Sequence, residues 1–157
     1  MFVTGPKQGP VFESWETSGQ TLQIRVESHP EQNAIVGGAY YVFRFAPKGS
    51  DAWRDIMTFR HDDPVPIPRD SVRFVDDQTA FVFMGWMYAV TTDGGASWSV
   101  WDAGRDLPNW QCCNYGLITD VNVHPDGSGT MVLNPITNRR GEVPQLHTKD
   151  FGRHWFA

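Results

Sequence analysis

Thr91-Thr92-Asp93-Gly94-Gly95-Ala96-Ser97-Trp98 is the stretch that decides the fold. It lies between two strand-like runs, residues 80–90 and 97–102. A tight hairpin turn must satisfy its backbone donors, and a short carboxylate such as Asp93 can accept from nearby N–H groups. Gly95 is placed to supply a positive φ that other residues resist. Trp98 opens the returning strand and is large enough to anchor the hairpin against a neighbouring sheet. The same spacing returns as Thr148-Lys149-Asp150-Phe151-Gly152-Arg153-His154-Trp155, which gives Asp150, Gly152 and Trp155 the same structural roles.

Written as Thr-x-Asp-x-Gly-x-(Ser/His)-Trp, both stretches resemble the Asp-box, the β-hairpin signature of sialidases and other β-propeller proteins. The resemblance implies an all-β, propeller-like set of antiparallel sheets. It implies no chemistry, because the same hairpin occurs in proteins with unrelated functions. A degenerate third copy is read around Trp53, with Lys48 at the aspartate position and Ser50 at the glycine position. Trp53, Trp98 and Trp155 are 45 and 57 residues apart. A period in the forties suits four-stranded repeats.

The chain outside the motif supports this reading. Residues 22–27 alternate apolar and polar side chains, the period of a strand. Residues 39–45 and 54–59 are expected to form the next two strands. Three prolines at alternate positions, Pro64, Pro66 and Pro68, make residues 61–70 a stiff connection. A second unit of four strands covers residues 71–75, 79–84, 86–90 and 97–102, and a third begins at Tyr115. The expected layout is one domain over 1–157, with units at about 21–60, 71–102 and 115–157. Residues 1–20 are an extended lead-in. Helix is nearly absent, and residues 103–114 and 134–141 are long loops. Three units fall short of the roughly four to eight blades of a closed propeller. A propeller-like partial fold is expected, with two copies closing a six-bladed ring or a looser stack of sheets as the alternatives.

With 157 residues the chain is large enough for a substantial core. Seven Trp and ten Phe suit a β-protein with large packing anchors. The net charge of −5 argues against a nucleic-acid partner and permits a basic protein partner. No apolar run reaches the roughly 18–20 residues of a membrane span, and no signal peptide is visible. The expected compartment is cytoplasmic, or periplasmic or secreted if a leader has been removed. Cys112 and Cys113 are adjacent, which disfavours ordinary disulfide geometry, so two thiols are expected. Arg139-Arg140 reads as a solvated loop tip.

No metal site or cofactor is expected. Sialidases carry an arginine triad, a tyrosine–glutamate pair, an aspartate acid and an Arg-Ile-Pro string. The nearest string here is Arg44-Phe45-Ala46-Pro47, and no catalytic residue carries over. The expected function is therefore non-catalytic binding, as a protein-interaction module such as a bacterial toxin-neutralising immunity protein. A glycan-binding module or the remnant of a sialidase-like glycosidase are the alternatives, and a homodimer is compatible with either. Trp86, Asp102, Arg105, Asp106, Trp110 and Tyr115 form the candidate binding surface, because Trp, Tyr and Arg are common interface anchors and long loops on rigid β-scaffolds carry function. Trp98→Ala is expected to cost roughly 3–5 kcal/mol if its ring is buried. Urea denaturation measures this, and a fully stable variant would contradict the anchoring role.

Overall fold

The computed structural model describes residues 13–31, 37–62, 65–107, 117–133 and 145–157. The protein is all-β, and the described residues form antiparallel sheets of four, four and three strands with no helix of seven residues or more. The chain parts into two compact units, residues 1–70 and 71–157. Trp110, Tyr115, Cys112, Cys113, Arg139 and Arg140 lie outside the described residues, as do residues 1–12 of the expected lead-in.

In the first unit, β1 (Glu13–Ser18), β2 (Leu22–Pro30), β3 (Ala39–Pro47) and β4 (Arg54–His61) form a meander in chain order. Leu22, Ile24 and Val26 share a buried face with Tyr41, Phe43, Phe45, Met57 and Phe59. The opposite face carries an alternating charge row. Arg25 pairs with Glu16 at 2.5 Å, Glu27 lies 3.6 Å from both Arg25 and Arg44, and Arg44 pairs with Asp55 at 2.7 Å. Residues 13–18, part of the expected extended lead-in, form a regular strand. Their alternation was hidden because polar side chains fill both faces, with Trp15 the single apolar residue.

Trp53 ends the turn between β3 and β4, but that turn has no carboxylate collar. Ser50 donates its N–H to the Pro47 carbonyl at 3.0 Å, and Gly49 takes φ +84°. The Trp53 ring meets the Arg25 guanidinium at 4.1 Å. In the linker, the Tyr41 hydroxyl donates to the Val65 carbonyl at 2.5 Å and accepts from its N–H at 2.6 Å, which ties down the proline-rich connection.

The second unit holds two sheets. β5 (Val72–Phe74), β6 (Ala80–Met84), β7 (Met87–Thr91) and β8 (Ser99–Asp102) form one. β9 (Ile118–Val123), β10 (Gly129–Leu133) and β11 (Gln145–Thr148) form the other, in order β11-β10-β9. Among the described residues this last unit has three strands where four were expected. The fourth position is held by a single bridge, where His147 and Phe156 exchange backbone hydrogen bonds of 2.7 and 2.9 Å. Between the sheets Phe81, Phe83, Tyr88, Val90 and Trp101 pack with Val121, Met131, Leu133, Leu146 and Trp155 in one core.

The two motif tryptophans are not equivalent. Trp155 is 7% exposed and meets Tyr88 edge-on at 5.3 Å, whereas Trp98 is only half-buried. The full loss expected for a buried ring therefore belongs to Trp155, and Trp98→Ala should cost less.

Gly152 combines a positive φ of +86° with a close approach. A Cβ there would lie 2.5 Å from atoms of the Tyr88 ring. Gly49 has nearly the same φ, but nothing lies within 4 Å of its Cβ position. Gly152→Ala is expected to cost roughly 2–4 kcal/mol from strain plus overpacking, and Gly49→Ala about 1 kcal/mol from the backbone alone. Urea denaturation of the two variants checks this, and equal losses would contradict it.

Candidate functional site

The two Asp-containing turns are built alike, bond for bond. The Thr91 hydroxyl donates to Asp93 Oδ1 at 2.8 Å, and the Thr148 hydroxyl donates to Asp150 Oδ1 at 2.9 Å. Each hydroxyl also accepts two N–H groups, from Asp93 at 3.4 Å and Gly95 at 2.9 Å, or from Asp150 at 3.3 Å and Gly152 at 2.9 Å. Each aspartate then takes the N–H four residues on, Ser97 at 2.9 Å or His154 at 3.0 Å. Gly95 and Gly152 have positive φ as the sequence requires. So do Gly94 at +67° and, at the matching position, Phe151 at +63°. The threonines are thus the hubs of both turns. Their recurrence ahead of each aspartate was the available signal.

Each turn is also pinned to the preceding hairpin. Gly94 donates to the Gln78 carbonyl and Phe151 to the Gly127 carbonyl, both at 2.9 Å. The Tyr88 hydroxyl donates to the Phe151 carbonyl at 2.7 Å, and the Arg153 guanidinium donates to the Thr92 hydroxyl. Burial pushes the Tyr88 hydroxyl far above its usual pKa, so it remains a donor at any physiological pH. These groups form a frame, and their polar atoms are directed into it.

Four of the six candidate surface residues fall at the other end of the first sheet of this unit. Trp86 occupies the Gly85-Trp86 turn between β6 and β7, half-buried against the core. The carbonyls of this turn fix the chain on either side of residues 108–116. The Trp86 carbonyl accepts from Ala103 N–H at 3.0 Å, and the Gly85 carbonyl from Ile118 N–H at 2.7 Å. Asp102 ends β8 and caps a one-turn helix, α1 (Ala103–Asp106), by accepting from Gly104 N–H at 2.8 Å. This turn lies where a loop was expected. Asx capping after a β-strand supports such a turn without any helical period to reveal it.

Asp106 accepts from the backbone of Asp102 at 2.9 Å and from the Arg105 guanidinium at 2.7 and 2.9 Å. That guanidinium first, and the backbone bond as well, hold the Asp106 carboxyl below its usual range. The Arg105 side chain remains 61% exposed. Among the described residues no group of three His, Cys, Asp or Glu side chains is placed to hold a metal. The arrangement brings together a half-buried indole, a fixed guanidinium and two oriented carboxylates.

The acid response of the frame follows from its hydrogen bonds. Donation from the Ser97 hydroxyl first, then its N–H and the Thr91 hydroxyl, holds the Asp93 carboxyl at about 2 against an ordinary 3.8. At Asp150 burial works against ionisation, but the donors of His154 and Thr148 outweigh it and the shift is again downward. A depressed folded-state value contributes stability above the unfolded value, and this is lost as pH falls through the folded one. The melting temperature should therefore fall between pH 3.8 and about 2. Asp93→Asn should lower it near neutrality and flatten that acid drop. Thermal melts from neutral pH downward decide this, and an unchanged acid slope in the variant would count against the turn as its source.

No family model matches the chain, and neither a curated protein nor a solved structure matches it.

Proposed function

We propose that the protein is a non-catalytic binding module of the Asp-box kind, and that it engages a protein partner with a basic face through the end of the sheet that carries Trp86. The supporting observation is the pre-oriented pair of anchor types at that end. Trp86 packs half-buried against the core on a turn whose carbonyls accept from Ala103 and Ile118, and Arg105 is locked in a two-bond fork on Asp106 while still exposed. Indole and guanidinium groups dominate binding energy at protein interfaces, and fixing them beforehand lowers the ordering cost of association. Asp102 and Asp106 around one arginine, on a chain of net charge −5, favour a basic counterpart. A toxin-neutralising immunity protein is a binder of this description. A row of exposed rings on a flat face would instead have favoured a glycan.

Capture from a lysate of the source cells tests the reading, using the purified protein and its Arg105→Ala and Trp86→Ala variants. The expected result is one protein bound in a 1:1 complex by light scattering. Its affinity should weaken about tenfold or more in each variant that keeps the wild-type far-ultraviolet spectrum. Saturable binding to a glycan array without protein capture, or capture unaffected by either change, would overturn it.

A further inference from the structure

The second unit repeats itself, and the two copies diverge at one face. Register and turn bonds match Val75 with His124, Phe81 with Thr130, Val90 with His147, Thr92 with Lys149, and Ser99 with Phe156. In the first copy Phe81 and Val90 lie in the core between the sheets and Val75 packs against it. In the second copy the matching positions line an open cavity of about 390 Å³, where His124, Ser128, Thr130, His147, Lys149 and Phe156 meet. It sits at the turn end of the sheet, opposite Leu133 and Gln145.

Solvation alone asks only that these positions be polar, and the residues present are more specific than that. Two imidazoles and an ammonium replace two valines and a threonine, and among the described residues no carboxylate lines the cavity, although acidic residues outnumber basic ones by 18 to 13. The carboxylates of the flanking turns are engaged within those turns. Asp126 accepts from the Ser128 N–H and hydroxyl at 2.9 and 2.6 Å, and Asp150 accepts from Thr148 and His154. Phe156 is 45% exposed, with the His147 ring 6.5 Å and the Lys149 ammonium 5.9 Å from its ring centre. Lys149 stands where the first copy places Thr92, the acceptor of the Arg153 bond.

We propose that this cavity is a binding site for an oxyanion, carboxylate or phosphate, carried on a flat apolar group. The Lys149 ammonium and the His124 and His147 imidazoles face the anion, and the Phe156 ring packs against the carrier. A charged group paired inside a concave site gains more than it would on open surface, and an aromatic wall supplies the apolar contact.

Two-dimensional amide NMR of the labelled full chain tests the proposal, titrating phenyl phosphate, benzoate and the uncharged benzamide at low salt. The expected result is saturable shifts at Gly129, Thr130, His147 and Lys149 with one or both anions and none with benzamide. The stronger of the two anions identifies the source. Lys149→Gln with His147→Gln should weaken binding at least tenfold, while Lys48→Gln in the other unit leaves it unchanged. Both cavity side chains are exposed, so the double variant is expected to fold, and its amide spectrum reports this directly. Absence of saturation, equal shifts at all basic residues, or equal affinity for benzamide would overturn the proposal.

Discussion

The unit from residue 71 to 157 depends on what a single hydroxyl does at Thr91 and again at Thr148. A hydroxyl offers one donor and two acceptor sites, and in each turn all three are used within five residues of chain. With the threonine fixed, the aspartate is aimed, and its second set of bonds reaches the strand that returns. The turn becomes a rigid piece whose outer N–H can be offered to the preceding hairpin. Neither a longer nor a shorter spacing would close these rings. That is why the motif recurs with its spacing intact while the residues between are free to change from Gly94 to Phe151.

Much of this was legible. Aspartate, glycine and tryptophan at fixed offsets located both hairpins, and alternation in residues 22–27 located a strand. The missed features share a physical cause, which is that the deciding contact came from elsewhere in the chain. Residues 13–18 carry polar groups on both faces, so only pairing with β2 makes them a strand. The α1 turn has no periodicity and depends on Asp102 and on a carbonyl of the Gly85-Trp86 turn. Trp98 and Trp155 have the same local sequence role but different burial, and Trp155 meets Tyr88 edge-on. The candidate surface was read from residue types alone. Local sequence could not show that Arg105 and Asp106 would pair with each other.

The two copies within the unit also bear on assembly. In the first copy the face with Phe81, Tyr88 and Val90 is covered by the next sheet. In the second copy the corresponding face presents Thr130, Gln145 and His147. Stacking a further sheet there, as closure of a ring by two copies would require if it used this face, would bury an imidazole and a hydroxyl against apolar side chains. Unpaired polar groups in such a setting cost about 1–3 kcal/mol each. Repeat proteins end on a polar outer face for this reason, and the β9–β11 sheet has the character of such an end layer.

A sheet end that is structurally satisfied has a further consequence for where binding energy can come from. The carboxylates of the Asp-containing turns accept several bonds from their own residues, so a ligand at those atoms would have to displace them. The His124, His147 and Lys149 side chains are different, because the frame is complete through backbone groups and the threonine hubs without them. Substituting those three side chains changes the chemistry of the surface while the turns retain their geometry. The division between framing and facing residues is set by the motif itself. Threonine and aspartate are engaged in bonds within the turn, and the position after threonine, Thr92 in one copy and Lys149 in the other, can vary with function.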